Sequence, residues 1–204
     1  TDAEHPNGAP DFLACGISRK DQHSPWTPPH VTMQDIKIIS SEQAANTAVF
    51  KPCAKYKAAF DRVAHQTGVP AVLLMSFALQ ESGCQASQIG PNGEFGLMQI
   101  TPEKCGGAPG GDCRNVDFNI GRGAKYFKDQ LDGPAKGNIL AAAGTYNGWK
   151  PGSMSYQSAT NKQYGCASQN NLDYLNSLFN GFCQGKDGYS NEFVKFGNLK
   201  QCGN

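Results

Sequence analysis

The spacing of apolar residues along the chain predicts a protein that folds mainly into helices. Positions 53–63 carry apolar side chains every three or four residues, which indicates a helix with one buried face that begins near Pro52 and ends at Gly68. The following segment, 69–79, is apolar at nine of its eleven positions. We expect this segment, with Pro70 in its first turn, to form a helix buried on all sides at the centre of the fold.

Three more helices are expected towards the C-terminus. Asp117 can cap a helix that ends near Gly133, and Asn138 can cap another over 139–147. The small residues in this second helix would let a neighbouring backbone approach closely. A last helix spans about 171–180, where leucines and a phenylalanine share one side.

A short segment of a different kind lies between these helices. Residues 95–100 follow turn residues at 90–93 and are interrupted by a glycine, so they predict a strand or an extended pocket wall. The expected fold class is therefore α+β and predominantly α-helical. The expected domain organisation is an N-terminal extended arm of uncertain role (1–51), a main domain (52–184) and an irregular tail (185–204) that a disulfide ties back.

Charge and composition exclude several classes of function. The 204 residues carry 18 basic and 17 acidic side chains, which argues against nucleic acid as a partner because phosphate binding needs a basic surplus. No run of 18 apolar residues is present, so we expect no contact with a membrane. The four histidines lack metal-ligand spacing, and we expect neither a metal site nor a cofactor. A monomer is expected.

Eight cysteines are present, and none of their spacings is the C-x-x-C of a zinc or redox site. We expect all eight to form disulfides, which excludes a cysteine nucleophile and predicts a secreted, extracellular protein. A chain that begins at Thr1 without an apolar leader fits a processed, secreted protein. One local pairing is expected, between Cys105 and Cys113, which would close a glycine-rich loop.

Glu81 is the first candidate for catalysis. It comes at the end of the apolar segment 69–79, near the negative end of a helix dipole, and both surroundings disfavour a charged carboxylate. The position predicts a raised pKa, and a carboxylic acid that keeps its proton near neutral pH is what protonation of a glycosidic oxygen requires. The alternative is an ordinary last-turn glutamate that reaches solvent or pairs with Arg62 or Arg122.

Three short motifs occur in a fixed order around this glutamate. They are Leu79-Gln80-Glu81-Ser82, then Gly96-Leu97-Met98-Gln99-Ile100, then Tyr146-Asn147-Gly148. In this order and at these separations they resemble the soluble lytic transglycosylase and goose-type lysozyme family, over roughly residues 53–183. The resemblance implies a lysozyme-like fold in which Glu81 is the catalytic acid and Tyr146 approaches its carboxyl group.

The resemblance also implies which residues line a saccharide cleft. Met98 and Gln99 belong to the cleft-lining motif, and the amide of Gln99 has the donors and the acceptor that an N-acetyl or hydroxyl group needs. Phe95 and Trp149 can stack on sugar rings, although a place in the core is equally expected for Trp149. The expected substrate-binding residues are Ser82, Phe95, Gly96, Met98, Gln99, Ile100, Asn147 and Trp149.

The sequence departs from this family where a second carboxylate is expected. Goose-type lysozymes place aspartates before and after the G-L-M-Q motif, and this chain has Gly90 and Thr101 there, neither of which can act as a base. Glu94 or Glu103 could supply the second carboxylate that an inverting hydrolase needs. If neither does, Glu81 must serve alone.

Two reactions on bacterial peptidoglycan are therefore open. The main prediction is an antibacterial muramidase, in which water cleaves the β-1,4 linkage between N-acetylmuramic acid and N-acetylglucosamine after Glu81 protonates the leaving oxygen. The second is lytic transglycosylation, in which the 6-hydroxyl of the muramic acid closes a 1,6-anhydro ring and one carboxylate suffices. A third possibility is a non-catalytic secreted module that binds saccharide in the same cleft. Chitin is expected only as a side substrate.

Overall fold

The computed structural model describes residues 1–202, which form helices joined by turns. The α-helices are α1 (Pro10–Leu13), α2 (Ser41–Ala45), α3 (Lys57–Thr67), α4 (Ala71–Ser82), α5 (Val116–Asp132), α6 (Ile139–Tyr146), α7 (Tyr156–Ala159) and α8 (Tyr174–Asn176). A π-helical segment, Ser177–Gly181, continues α8. Among the described residues, extended pairing is limited to isolated bridges. The predicted predominance of helix is confirmed, and the small extended element is present as bridges without a full strand.

The chain forms two compact units. The central unit contains Ile38–Asp129 and Phe182–Lys186, and the terminal unit contains Thr1–Lys37, Gln130–Gly181 and the segment from Asp187 onward. The terminal unit therefore includes most of the expected N-terminal arm. The domain boundaries expected after residues 51 and 184 stay a prediction, since a compact unit of this kind need not be a separate domain.

Helix α4 forms the core of the central unit, as its apolar sequence predicts. The run Val72–Ala78 is buried without interruption. Pro70 precedes the first turn, and Gly83 ends the helix in the left-handed conformation at φ 61°, which a residue without Cβ adopts at little cost. Phe77 packs on Phe127 of α5, with 5.2 Å between the ring centroids. The candidate catalytic glutamate therefore belongs to a helix that apolar contacts hold in place.

The caps of α5 and α6 test two sequence predictions. The cap of α5 is Asn115, whose Oδ1 accepts a hydrogen bond from the Phe118 N–H at 3.2 Å. The prediction of Asp117 as this cap is wrong, because its carboxylate lies in the first turn and accepts hydrogen bonds from the Arg62 guanidinium at 2.7 and 3.2 Å. Asn138 caps α6 as predicted, since its Oδ1 accepts from two N–H groups of the first turn at 3.1 and 3.4 Å.

Six of the eight cysteines form disulfides. The pairs are Cys53–Cys84 and Cys105–Cys113 in the central unit and Cys166–Cys202 in the terminal unit. The predicted local pairing of Cys105 with Cys113 is confirmed, but the expectation that all eight pair is wrong, because Cys15 and Cys183 are free. Cys183 is buried with its Sγ 3.9 Å from the Ser76 hydroxyl, and burial raises the pKa of its thiol to about 12. A thiol with so high a pKa is a poor nucleophile.

The N-terminal segment packs into the terminal unit through Trp26, which is completely buried. Its indole N–H donates to the Leu13 carbonyl at 3.1 Å, and its ring meets Trp149 edge to face with 4.8 Å between centroids. Trp26 also covers Gly144 of α6, where an added methyl group would lie 2.9 Å from the indole Cζ3. The small residues of α6 therefore admit an aromatic side chain, where a backbone was expected.

The C-terminal segment is anchored by Asp173. Its carboxylate accepts hydrogen bonds from the backbone N–H groups of Lys195, Phe196 and Gly197 at 2.7–2.8 Å. The disulfide of Cys202 adds a second attachment. A tail with little regular structure is thus tied to the terminal unit, as the sequence predicts.

We expect Gly144→Ala to destabilise the protein by about 1–2 kcal/mol, because the added methyl group must displace the buried Trp26 ring. The matched control is Gly121→Ala in α5, where no atom lies within 4 Å of the new Cβ and helix propensity predicts a gain of about 0.5–1 kcal/mol. Urea unfolding of both variants measures the difference. A Gly144→Ala variant as stable as the wild type would contradict the packing of Trp26 on α6.

Candidate active site

Glu81 lies in the last turn of α4, half-buried and without a hydrogen-bond or ion-pair partner among residues 1–202. The two arginines considered as partners are engaged elsewhere, since Arg62 pairs with an aspartate of α5 and Arg122 donates to a backbone carbonyl. Removal from water is the larger cause, and the negative charge of Glu94 the smaller cause, of a pKa raised to about 7. The predicted direction is confirmed, and Glu81 keeps its proton up to neutral pH.

The end of α4 is fastened next to Glu81. Gly83 and Cys84 both adopt left-handed backbone conformations, which turn the chain back so that the Cys84 N–H donates to the Ala78 carbonyl at 3.0 Å. The disulfide from Cys84 to Cys53 then joins this turn to the segment before α3. These constraints limit the movement of the backbone that carries Glu81.

Ser82 connects α4 to the segment 95–100. Its side chain is buried, and its hydroxyl donates to the Leu97 carbonyl at 2.9 Å and lies 3.0 Å from the Ala78 carbonyl oxygen. A contact with substrate was expected of this residue. In the structure its hydroxyl instead bonds to the backbone, and it holds the segment 95–100 against the helix that carries Glu81.

The segment 95–100, called the wall below, is a tight turn whose two ends pair as an isolated bridge. The extended conformation that the sequence predicts is therefore wrong for residues 96–99, where Gly96 and Gln99 are left-handed. Phe95 and Ile100 exchange backbone hydrogen bonds at 2.9 Å in both directions, and Phe95 forms a further bridge with the preceding turn. Gly96, at φ 72°, packs closely on Asn119 of α5, because an added Cβ would lie 2.7 Å from the Asn119 Nδ2. The wall therefore depends on α5 for its position.

Asn119 is a fully buried residue that holds this wall and that sequence reasoning missed. Its Oδ1 accepts a hydrogen bond from the Met98 N–H at 2.8 Å, and its Nδ2 donates to the carbonyls of Phe95 and Cys113 at 2.8 and 2.9 Å. The available signal was an asparagine between the apolar positions 118 and 120 of a predicted helix. A buried amide needs partners for its polar atoms, and the backbone of the wall supplies them.

Met98 and Gln99 contribute to the wall in different ways. Met98 is buried against Gly123 of α5, where an added Cβ would lie 2.7 Å from the methionine Cε. Gln99 is half-buried in a left-handed conformation at φ 46°, and its Nε2 donates to the Gly96 carbonyl at 2.8 Å. Its Oε1 accepts no hydrogen bond within the described chain and lies against Gly90. Gln99 therefore keeps an acceptor for a ligand, whereas the Met98 side chain is used in packing.

Glu94 and Glu103 differ in their relation to Glu81. Hydrogen bonds from its own N–H and from Asn92 lower the pKa of Glu94, a half-buried residue. Glu103 is exposed, and the hydroxyl of Thr101 and then its own N–H lower its pKa. Both carboxyl groups are ionised near neutral pH, but of the two it is Glu94 whose charge acts on Glu81.

The third motif lies in the terminal unit. Tyr146 is the last residue of α6 and Asn147 follows as its cap, and both are half-buried. Trp149 is 1% exposed, its Nε1 donates to the Asn171 carbonyl at 3.2 Å, and its ring packs on Trp26. Of the two roles expected for Trp149, the structure therefore favours the one in the core. The catalytic role expected of Tyr146 and the substrate contact expected of Asn147 stay predictions.

The chemistry that the central unit offers is a carboxylic acid with a raised pKa, an ionised carboxylate whose charge contributes to that shift, and an amide oxygen on the neighbouring wall. Among the described residues, no three histidine, cysteine, aspartate or glutamate side chains are grouped so that they could hold a metal ion. In the same part of the chain, no helix has the length and apolar character needed to cross a bilayer.

The chain is similar to a known protein family and to several solved structures. The family model of the transglycosylase SLT domain matches residues 58–170, which are 113 of the 204 residues. One similar solved structure is a complex of the 70-kDa soluble lytic transglycosylase with bulgecin A, at 25% identity and a TM-score of 0.42. Another is the 70 kDa soluble lytic transglycosylase from Escherichia coli, at 25% identity and a TM-score of 0.41. The matches cover 47% and 46% of this chain and 17% and 16% of those chains.

A third structure is an inactive mutant of the lytic transglycosylase Slt from Pseudomonas aeruginosa. It matches at 19% identity and a TM-score of 0.42, over 72% of this chain and 24% of its own. The chain thus spans between 16% and 24% of the length of these proteins. The family match, by contrast, includes Glu81, the 95–100 wall and the Tyr146 motif, which together carry the resemblance seen in the sequence. The chain belongs to the transglycosylase SLT domain family.

Proposed function

We propose that the protein is a lytic transglycosylase that cleaves the glycan strands of bacterial peptidoglycan. The observation that carries the proposal is Glu81, a carboxylic acid with a pKa of about 7 and no partner in the described chain, on a helix end braced against the 95–100 wall. Such a group can donate a proton to a glycosidic oxygen at neutral pH and accept one afterwards. Family membership favours this reaction over the hydrolysis that was the main prediction from sequence.

The proposed reaction uses the same carboxyl group twice. In the first half, Glu81 donates its proton to the oxygen that links N-acetylmuramic acid to N-acetylglucosamine, and the bond from C1 to that oxygen breaks. In the second half, the Glu81 carboxylate accepts the proton of the muramic acid 6-hydroxyl while O6 bonds to C1. One proton passes from O6 to the leaving oxygen, no water is consumed, and the product ends in a 1,6-anhydro ring.

The wall supplies the proposed substrate contacts of the central unit. The free Oε1 of Gln99 can accept a hydrogen bond from an acetamido N–H or a sugar hydroxyl. Phe95 is half-buried, so part of its ring is available to the face of a sugar. Gly96, Met98 and Ile100 are buried, and we assign them to the shape of the wall.

Tyr146 and Asn147 keep the roles that the family resemblance implies. Tyr146 is proposed to be a catalytic residue, and Asn147 to bind the saccharide. Support comes from the family match, which includes both residues.

A second candidate function is that of a muramidase, and Glu94 is the observation that favours it. An inverting hydrolase needs an ionised carboxylate that activates water, in addition to the protonated acid. Glu94 is ionised, and its negative charge contributes to the raised pKa of Glu81. It is therefore a stronger candidate for that carboxylate than the exposed Glu103. Cleavage would then leave a reducing end in place of the anhydro ring.

The proposed place of action is outside the cytoplasm. Three disulfides form in the described chain, and such bonds persist in oxidising compartments. The net charge of +1 gives little long-range attraction to anionic bacterial walls. Affinity for the wall must therefore come from contacts with the glycan itself.

Digestion of purified peptidoglycan distinguishes the two reactions. We expect mass spectrometry of the released muropeptides to show 1,6-anhydro ends, which are lighter by one water than the ends that hydrolysis leaves. Reducing ends alone would assign the protein as a muramidase. Saccharide binding with no turnover, or faster cleavage of chitin than of peptidoglycan in a parallel assay, would contradict the proposed substrate and reaction.

Glu81→Gln is expected to lower the rate of peptidoglycan cleavage by about 10²–10⁴-fold, the usual contribution of a general acid–base group, because the amide has no proton to transfer. The matched control is Glu42→Gln, which neutralises an exposed glutamate of α2 and should keep the wild-type rate. Circular dichroism shows whether each variant is folded. Wild-type activity in a folded Glu81→Gln protein would remove Glu81 from the mechanism.

The same titration should make stability depend on pH. The pKa of Glu81 is about 7 in the folded protein and near 4.5 in an unfolded chain, so the free energy of unfolding falls as pH rises between these values. Glu81→Gln removes this fall in the free energy of unfolding, because the amide does not titrate. At about pH 8 we expect the free energy of unfolding of the variant to exceed that of the wild type by at most about 3 kcal/mol. Solvent that reaches the carboxyl group makes the difference smaller. At about pH 4 the two proteins should be equally stable. Urea unfolding at both pH values measures it, and a difference independent of pH would contradict the assigned pKa.

A further inference from the structure

A cavity of about 360 Å³ lies in the terminal unit, within the C-terminal part of the chain. All of its lining residues lie between positions 171 and 200, after the segment 58–170 that matches the family model. None of the residues proposed above to act in the reaction lines it. Binding cavities for small molecules usually measure about 300–1,000 Å³, so this cavity has room for a compact ligand.

Two polar side chains of the lining have atoms without a hydrogen-bond partner. Ser177 lines the cavity and is 3% exposed, and its hydroxyl has no partner among residues 1–202. Asn171 accepts from the Asp173 N–H through its Oδ1 at 3.0 Å, while its Nδ2 has no partner in the same part of the chain. A buried hydroxyl without a partner is destabilising unless water or a ligand bonds to it. These atoms therefore favour a ligand that forms hydrogen bonds.

Asp173 gives the cavity a fixed shape. Its carboxylate accepts hydrogen bonds from three consecutive backbone N–H groups, those of residues 195–197, at 2.7–2.8 Å. These bonds hold the loop that brings Val194 and Leu199 to the lining. Only one of the three bonds, from the Gly197 N–H, reaches Oδ2, so this oxygen can also accept a bond from a ligand.

The remaining lining is aromatic and aliphatic. Tyr189 is 50% exposed, and Val194 and Leu199 are half-buried. A sugar ring has a face of C–H groups that packs on such side chains, and its edge carries hydroxyl groups that need hydrogen bonds. The combination of an apolar surface with a few separate polar atoms fits this chemistry.

The charges of the lining argue against an ion as the ligand. One acidic and one basic side chain line the cavity, Asp173 and Lys200, and both have partners within the chain. The Lys200 Nζ donates to the Tyr189 carbonyl at 3.1 Å and to the Asn191 Oδ1 at 2.9 Å. Because the two charges balance, the lining favours a neutral ligand over an anion or a cation.

We propose that this cavity is a second, non-catalytic saccharide site, which takes one N-acetylated amino sugar of a glycan strand. The Tyr189 ring packs on the sugar, and the free atoms of Ser177 and Asn171 bond to its acetamido and hydroxyl groups. The choice of an N-acetylated sugar rests on the proposed function, whereas the cavity and its unpartnered polar atoms do not.

A second saccharide site would strengthen binding to a polymer. Two linked contacts with one glycan network bind more tightly than either contact alone, because the second forms at a high effective concentration. The net charge of +1 gives little attraction to an anionic wall, so a further contact with the glycan has a clear use.

The first test is a titration with N-acetylglucosamine, followed by ¹H–¹⁵N NMR of the full chain. The amide signals of Gly188 and Gly197 should shift, since both residues line the cavity. Ser177→Ala and Tyr189→Ala should each weaken binding about three- to tenfold, the usual effect of losing one hydrogen bond or one aromatic contact. The matched control is Tyr164→Ala, which removes an 85% exposed tyrosine outside the lining and should bind as the wild type does.

Two further measurements separate recognition from folding. Glucose lacks the acetamido group and should bind about tenfold more weakly than N-acetylglucosamine. Ser177→Ala should keep the wild-type free energy of unfolding, because its hydroxyl forms no hydrogen bond within residues 1–202.

Sedimentation with insoluble peptidoglycan tests the use of the site. Glu81→Gln serves as the parent protein, so that the polymer is not digested during the assay. Adding Tyr189→Ala should lower the affinity for the polymer by at least the factor seen with the free sugar, and adding Tyr164→Ala should not.

Three results would overturn the proposal. They are sugar-induced shifts confined to the 95–100 wall, wild-type affinity in both Ser177→Ala and Tyr189→Ala, and equal affinity for glucose. Cleavage of peptidoglycan by a protein that binds no sugar in the cavity would overturn this proposal alone. Sugar binding in the cavity of a protein that does not cleave peptidoglycan would overturn the proposed function alone.

Discussion

The candidate site depends on the removal of one carboxyl group from water. Helix α4 is apolar along most of its length, and Glu81 comes where that helix ends, so the packing that stabilises the fold also disfavours the charged form. Gly83 turns the chain and the Cys53–Cys84 disulfide holds the turn, so the end of the helix stays in place. Stability and chemistry therefore depend on the same helix, because a looser α4 would admit water and lower the pKa of Glu81.

Buried polar side chains give the wall beside Glu81 its shape. The wall pairs through isolated bridges and has no neighbouring strand in the described chain, so its remaining backbone groups need partners from elsewhere. Ser82 and Asn119 provide them from α4 and α5. Gly96 and Gly123 let the wall approach α5 closely, and a side chain at either position would push the two apart. A few buried residues thus determine the position of the wall that carries the proposed substrate contacts.

The parts of the molecule that the sequence predicts are those determined by local pattern. The span of α4, the Asn138 cap and the Cys105–Cys113 loop each follow from residues close together in the chain. The role of Asn119, the packing of Trp26 on Gly144 and the free state of Cys183 depend on contacts between distant segments. Periodicity and capping rules do not contain that information. The raised pKa of Glu81 was predictable because its main cause, burial at the end of an apolar helix, is itself local.

Glu81 and Glu94 show how one unit keeps two carboxyl groups in different states. Burial without a partner favours the neutral form of Glu81, and hydrogen bonds from Asn92 favour the charged form of Glu94. Each state favours the other. An ionised Glu94 opposes ionisation of Glu81, and a neutral Glu81 adds no negative charge that would raise the pKa of Glu94. A base that activates water would have to release its hydrogen bonds to take up a proton. A fixed anion does not, so this pair is better suited to a reaction in which Glu81 alone carries the proton.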